Sequence, residues 1–158
     1  MNSISNDQFR SALGNYVTGV TIVTALGKSS RPVGMTANSF ASVSLDPPLV
    51  LWSIDKSAPE AKDFAATSHY AIHILNQDQR QLSQTFANES ADKFADLPIE
   101  RGISGLPLLN QFAVRLQCEI SNRHDEGDHI ILIGKVLDVC VQDTDPLVFF
   151  NGYARLQS

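Results

Sequence analysis

The stretch that decides the fold is Arg31-Pro-Val-Gly-Met-Thr-Ala-Asn-Ser-Phe-Ala-Ser-Val-Ser-Leu-Asp-Pro-Pro-Leu-Val-Leu-Trp-Ser-Ile-Asp-Lys56. Alternating residues at 33–37 and the nearly continuous apolar run at 49–54 predict two β-strands. Between them, small hydroxyl residues offer hydrogen-bond donors and acceptors beside an open backbone. Pro47 and Pro48 end this segment because proline cannot donate to a strand ladder. Composition alone also fits two ordinary strands joined by a Ser-rich loop.

The size and charge of the chain narrow the possible classes. Its 158 residues predict a single domain over residues 1–158. A net charge of −5 argues against nucleic acid or an anionic membrane as the main partner. The N-terminal residues lack a basic segment followed by an apolar one, which predicts no secretory signal and a cytoplasmic protein. Cys118 and Cys140 are therefore predicted to be reduced and buried, and the scattered histidines predict no metal site.

Most of the remaining chain has the patterns of β-structure. Three short helices are predicted, the first capped by Ser5 or Asn6, the second by Ser57, and the third at residues 79–86. Residues 88–105 are predicted to form a long ordered loop. Besides the two strands above, strands are predicted at residues 20–25, 69–75, 112–122, 129–141 and 147–153, with a hairpin at 123–128.

The order of these elements favours an antiparallel barrel or sandwich with a few helices, because strict alternation of strands and helices is missing. No GxGxxG or GxxxxGK[ST] motif occurs, so a Rossmann turn or P-loop is excluded as the means of holding a nucleotide. No GxSxG nucleophile motif occurs either.

A few polar side chains are candidates for ligand binding. Lys56 suits a phosphate, because an ammonium is a compact charge, but it also fits a solvated turn lysine. His129 follows a glycine turn, where it fits a proton-transfer or ligand-binding role as well as a surface histidine that opens a strand. His69 and His73 share one face of a predicted strand and are interpreted as structural.

Taken together, the motifs resemble those of the flavin reductase family, the short reductase components of two-component flavin-dependent monooxygenases. The resemblance covers nearly the whole chain in the right order, and its most specific block is residues 34–49. The motifs that carry it are Phe9-Arg10, Gly19-Val-Thr-Ile-Val-Thr24, Gly34-Met-Thr-Ala-Asn-Ser-Phe40, Ser42-Val-Ser-Leu-Asp-Pro-Pro-Leu49, Leu82-Ser83, Phe86-Ala87, Gly127-Asp-His129 and Pro146-Leu-Val-Phe-Phe-Asn-Gly-Tyr153.

The resemblance implies an antiparallel split β-barrel that binds FMN or FAD as a homodimer, with the flavin near the subunit interface. His129 would lie near the nicotinamide of NADH or NADPH. Ser53 and Lys56 would lie near the flavin phosphate. The other residues implied to line or border the flavin are Met35, Thr36, Ala37, Asn38, Ser39, Ser42, Val43, Ser44, Phe86 and Ala87.

The activity implied is an NAD(P)H:flavin oxidoreductase that supplies reduced flavin to a partner monooxygenase. Hydride transfer between two stacked rings needs no protein nucleophile, so the protein would mainly bind and orient both molecules. Two alternatives stay open at this stage. One is a flavin-binding electron carrier or storage protein without turnover, and the other is a related oxidase of the pyridoxamine-phosphate type.

Overall fold

The structure is a computed structural model that describes residues 3–89 and 92–154. The helices are α1 Asn6–Leu13, α2 Ala61–Ala66 and α3 Arg80–Ala87. The strands are β1 Thr18–Gly19, β2 Thr21–Leu26, β3 Pro32–Ala37, β4 Ala41–Leu45, β5 Pro48–Asp55, β6 His69–Ile74, β7 Ile99–Arg101, β8 Pro107–Leu109, β9 Val114–Glu126, β10 His129–Val141, β11 Val148–Phe149 and β12 Tyr153–Ala154. In the described ranges, no helix is long and apolar enough to cross a membrane.

Seven strands form the main sheet, in the order β3-β2-β6-β9-β10-β5-β4, and every neighbouring pair is antiparallel. The two outermost strands, β3 and β4, are joined by only residues 38–40. A flat sheet would separate these edges by about 29 Å at the usual strand spacing, whereas the link spans at most about 15 Å. The sheet must therefore curl until its edges approach. The predicted split barrel is confirmed by this arrangement and by the structural relatives reported below.

The interior of the barrel is aromatic at its centre. The Trp52 ring lies edge-on to Phe64 at 4.8 Å and to Tyr70 at 6.0 Å between ring centroids, and all three side chains are fully buried. Trp52 and Ile54 point inward from β5, so Leu51, Ser53 and Asp55 lie on its outer side. Alternation along this one strand therefore separates the core from the surface that the site uses.

Several predicted elements are confirmed with different limits. The hairpin of β2 and β3 is present, and so is that of β9 and β10, although the second closes tightly at residues 127–128. The final predicted strand is two short strands, β11 and β12, paired with each other. Ser5 caps α1 as predicted, but α2 begins after Glu60 rather than at Ser57.

Two predicted loops contain strands. Residues 41–45 form β4, which pairs with β5, so the Ser-rich loop expected there is wrong. Small hydroxyl residues favour turns by themselves, but here the tertiary pairing with β5 decides the conformation. The long loop predicted at 88–105 contains β7, and residues 90–91 of it lie outside the described residues.

Both cysteines are free, as predicted. Cys118 is buried, and this burial raises the pKa of its thiol to about 12. Cys140 is only half-buried, so the prediction that both are buried is wrong for this residue.

Candidate active site

Strand β3 presents two faces to two different surroundings. Met35 and Ala37 pack against the barrel core, and the Ala37 carbonyl accepts a 2.6 Å hydrogen bond from the Thr21 hydroxyl. On the other face, the Thr36 hydroxyl donates to the Ser83 carbonyl of α3 at 2.6 Å. These three residues of the predicted flavin site therefore connect the core, the strand and α3.

Gly34 has no side chain because aromatic rings occupy the space beside it. A Cβ atom there would lie 2.8 Å from Phe86 and 3.2 Å from Phe94. These two rings meet edge to face with centroids 5.1 Å apart. Phe86 is 0% exposed, so in this conformation its ring packs against β3 and is not presented to a ligand. Ala87, at the end of α3, is exposed and can border one.

The link between β3 and β4 is fixed by a side chain. The Ser39 hydroxyl donates to the Ser53 carbonyl at 2.9 Å and accepts from the Ser53 backbone N–H at 3.0 Å. The pairing of β4 with β5 ends at Ala41↔Leu51, so Ser39 replaces the missing strand at Ser53. The structure thus brings Ser39 and Ser53 together, with Asn38 exposed beside them.

Strand β4 forms the open rim of the sheet next to this link. Ser42 and Val43 are exposed and Ser44 is half-buried. The register with β5 shifts between Ser42 and Ser44, which marks a bulge in this edge strand. Bulges at sheet edges re-aim side chains and occur often beside binding sites.

A cleft of about 850 Å³ opens where the link meets the N-terminal segment. Its volume suits a small-molecule ligand, since such pockets are typically about 300–1,000 Å³. The side chains that line it are mostly apolar or aromatic with a few polar groups, and they include Leu13, Tyr16, Val17, Asn38, Phe40 and Phe149. Such a lining suits a ligand that has flat rings with hydrogen-bonding groups at their edges.

A second cavity, of about 570 Å³, lies beside the outer face of β3. Lys93 closes its floor with three contacts from one ammonium, to Glu60 at 2.7 Å, the Phe86 carbonyl at 2.8 Å and the Gly34 carbonyl at 3.1 Å. Sequence reasoning missed this cluster, because nothing in the local pattern links residues 60 and 93. It ties α2, α3 and the following segment to the strand that carries the predicted flavin residues.

His129 lies at the rim of the barrel, opposite Asp55 in the β5–β10 pairing. Its Nδ1 is 2.7 Å from the Asp128 carboxylate. A neutral imidazole that donates through Nδ1 presents Nε2 as an acceptor, whereas an imidazolium presents Nε2–H as a donor. Ser53 and His129 share the outer face, because Asp55 is the next outer residue of β5 after Ser53.

Lys56 follows β5 directly and contacts the turn before His129. Its ammonium donates to the Gly127 carbonyl at 2.8 Å and forms an ion pair with Asp125. The role predicted for Lys56 at a flavin phosphate stays a prediction, since these contacts use two of its three N–H donors.

His73 is structural, in agreement with the sequence interpretation. Its Nδ1 lies 3.0 Å from the Ile22 carbonyl, and its Nε2 accepts the Leu109 N–H at 3.0 Å. Complete burial lowers the pKa of His73 to about 3, because the charged form is poorly solvated there. His73 is therefore a neutral bridge between β2 and β8.

The sequence profile described as "Flavin reductase like domain" matches residues 13–156 of this chain. The chain belongs to the flavin reductase family. It is 47% identical over 144 residues to the FMN reductase (NADH) SmoA of Agrobacterium fabrum, an alignment that covers 91% of this chain and 82% of that protein. It is 45% identical to the reductase component of the flavin-dependent trigonelline monooxygenase of Acinetobacter baylyi, covering 92% of this chain but 47% of that protein.

Solved structures of the family have the same fold. The NADH:FAD oxidoreductase SgcE6 of Streptomyces globisporus C-1027 superimposes with a TM-score of 0.91 at 33% identity, covering 99% of this chain and 96% of that one. The same protein has been solved in complex with NAD and FAD fragments, and that structure superimposes with a TM-score of 0.90. That complex shows that this relative binds NAD and FAD fragments on the same scaffold.

Proposed function

We propose that this protein is an NAD(P)H:flavin oxidoreductase that reduces FMN or FAD and supplies reduced flavin to a partner monooxygenase. The observation that carries the proposal is the match of residues 13–156 to the family. Relatives named as an NADH-dependent FMN reductase and as a monooxygenase reductase component support both parts of it. This chain aligns with less than half of the second relative. Supply of reduced flavin to an oxygenase is therefore proposed for this chain and not carried over from that relative.

The residues of the cleft fit a flavin. Aromatic and aliphatic side chains at Tyr16, Phe40 and Phe149 suit the flat ring system, and Asn38 supplies hydrogen bonds to its polar edge. Bound flavin supplies the hydride-accepting chemistry. The chain contributes a fixed surface: the Ser39–Ser53 bonds hold the link that borders the cleft, and the bond from Thr36 holds β3 against α3.

We place the remaining predicted site residues around this surface as part of the same proposal. Met35 and Ala37 set the position of β3 from inside the barrel, and Ser42, Val43 and Ser44 form the rim of β4. Ala87 borders the ligand from the end of α3, while Phe86 acts behind the strand through its contact with Gly34. Phosphate contacts by Ser53 and Lys56 stay predictions.

His129 is the proposed catalytic residue. Its Asp128 contact orients the ring and leaves Nε2 for the ligand. A neutral Nε2 can accept a hydrogen bond from the nicotinamide carboxamide, and a protonated one can donate to an anionic reduced product. Holding the nicotinamide at a fixed distance from its acceptor is the principal contribution available to such a residue.

A homodimer is the proposed assembly. The apolar side chains of the N-terminal segment are more than half exposed: Phe9, Leu13, Tyr16 and Val17. In the described part of the chain, pairing of β10 with β5 ends at Lys135↔Leu49, and Val139 and Val141 beyond it are exposed. Large exposed apolar side chains that cluster on a soluble protein often mark an interaction surface, and a second copy of the chain would cover these. Light scattering should give twice the 17.3 kDa chain mass, and a single-chain mass that flavin leaves unchanged would contradict the dimer.

One set of assays tests the function. Purified protein is mixed anaerobically with NADH or NADPH and an excess of FMN, FAD or riboflavin. Catalytic oxidation of the nicotinamide, with reduced flavin exceeding the enzyme many-fold, is the expected result. One equivalent of reduced flavin without turnover would indicate an electron carrier, and oxidation of added pyridoxamine phosphate would indicate an oxidase of the pyridoxamine-phosphate type.

A cytoplasmic location stays a prediction from the N-terminal sequence.

A further inference from the structure

The turn that precedes His129 has almost nothing packed against it. The side chains of Asp125 and Asp128 are 76% and 87% exposed. Gly127 has a φ of +61°, and no atom lies within 4 Å of the position that a Cβ would occupy there. Burial therefore cannot fix the conformation of this turn.

Backbone pairing of β9 with β10, which ends at His129↔Glu126, closes this turn, and Lys56 holds the turn against the end of β5. Its backbone N–H donates to the Asp128 carbonyl at 2.9 Å, and its ammonium donates to the Gly127 carbonyl at 2.8 Å. The same ammonium forms the ion pair with Asp125. A single side chain and its own backbone thus contact three of the four residues at 125–128.

The backbone around Lys56 is itself fixed by hydrogen bonds between its two neighbours. The carboxylate of Asp55 accepts hydrogen bonds from the backbone N–H of Ser57 at 2.8 Å and from its hydroxyl at 2.7 Å. These bonds, with the backbone one contributing most, lower the pKa of Asp55, so it stays ionised as an acceptor. The segment 55–57 is closed into a tight turn with Lys56 at its centre, directly after β5.

We propose that Lys56 is a positioning residue for hydride transfer, which acts by holding the turn that carries the Asp128–His129 pair. This rests on the proposed function of His129. The 2.7 Å contact between Asp128 and His129 orients the ring, so movement of Asp128 changes where Nε2 points. Without the ammonium contacts of Lys56, the exposed turn samples several conformations. The nicotinamide then meets His129 less often in the productive orientation. This role in NADH recognition is distinct from the phosphate contact predicted for Lys56, and the test below separates the two.

The test compares Lys56→Met, Lys56→Arg and Asp125→Asn with wild type. Lys135→Met is the matched control, because Lys135 is an exposed lysine on β10, the strand that begins with His129. The measurements are KM and kcat for NADH, and dissociation constants for FMN and riboflavin from flavin fluorescence quenching. Because exposed ion pairs contribute little to stability, all variants should fold, and Trp52 fluorescence checks this.

The expected result for Lys56→Met is a KM for NADH about fivefold higher, with the ratio of FMN to riboflavin affinity unchanged within about twofold. Asp125→Asn should also raise the KM for NADH. Lys56→Arg should keep this KM close to that of wild type, and Lys135→Met should leave it unchanged. In a His129→Ala background, Lys56→Met should raise KM no further, because both changes remove the same interaction.

Two outcomes overturn the inference. A loss of FMN affinity of about tenfold with riboflavin unaffected would make Lys56 a phosphate ligand. In that case Asp125→Asn should improve FMN binding by releasing the ammonium. An unchanged KM for NADH in both Lys56→Met and Asp125→Asn would leave Lys56 without a role in the reaction. Failure of the proposed function is distinct from either outcome, since wild-type protein would then not turn over NADH with any flavin.

Discussion

Replacing Lys93 by methionine removes a charge that three acceptors share. The ammonium contacts the Glu60 carboxylate and the carbonyls of Gly34 and Phe86, so all three of its N–H donors are used. The side chains of Lys93 and Glu60 are only 10% and 15% exposed. Methionine keeps the length of the side chain, so the change tests the charge more than the packing.

The expected loss follows from this burial. Removing one member of a buried ion pair typically costs about 3–5 kcal/mol, because the other charge is left without a partner. The slight exposure of Glu60 lets water reach it, so we expect about 3 kcal/mol of lost unfolding free energy, at the lower end of that range. For a chain of this size, that corresponds to a fall in Tm of about 6–12 °C.

Denaturant unfolding followed by the fluorescence of Trp52, the one tryptophan of the chain, measures the effect. Lys62→Met on the exposed side of α2 is the control and should stay within about 0.5 kcal/mol of wild type. The double variant Glu60→Gln, Lys93→Met should recover at least about 1 kcal/mol, since no buried charge is then left unpaired. A loss below about 1 kcal/mol in Lys93→Met would refute the reasoning, and a double variant as unstable as the single one would assign the loss to the two carbonyls.

Three further predictions concern other parts of the site and core. Gly34→Ala should cost about 1–3 kcal/mol in denaturant unfolding, because the new methyl would lie 2.8 Å from Phe86; a neutral result would show that the ring moves freely. The pKa of His73 is lowered to about 3 in the folded protein, so below pH 6.5 the unfolded chain binds a proton that the folded one does not. The unfolding free energy should therefore be unaffected by His73 above pH 6.5 and fall by up to about 1.4 kcal/mol per pH unit below it. Unfolding of His73→Gln, compared with wild type at pH 7 and 5, should show a flatter pH dependence. His129→Ala should keep flavin affinity within about threefold but lower NADH turnover about tenfold or more; wild-type kinetics would remove His129 from the site.

The elements predicted well are those whose local pattern agrees with their tertiary surroundings. Residues 49–54 and 69–75 are apolar enough to form buried strands in any barrel, and both do. β4 was missed because its small hydroxyl residues and the two prolines that follow are typical of a turn, although Ala41, Val43 and Leu45 do alternate with Ser42 and Ser44; pairing with β5 decides the conformation. The final strand was predicted as one element, but positive φ angles at Asn151 and Gly152 turn it into a hairpin.

The candidate site was predicted as a set of residues but not as a set of contacts. The resemblance named Ser39 and Ser53 separately, and the structure shows that they bond to each other. Phe86 was assigned to the flavin border, whereas its ring fills the space beside Gly34. Lys56 contacts a residue 71 positions away in the chain, and no local periodicity reports a pairing of this kind.

The link at residues 38–40 has a consequence for how the protein opens locally. It lies beyond the Ala41↔Leu51 end of the β4–β5 pairing, where two hydrogen bonds between Ser39 and Ser53 hold it to β5. Segments that rest on few bonds open first in native-state hydrogen exchange. The Ser53 amide, protected by the Ser39 hydroxyl alone, should therefore exchange early. Flavin that binds only the form with the Ser39–Ser53 bonds intact should slow this exchange in proportion to its concentration. The bound cofactor would then stabilise this edge of the barrel.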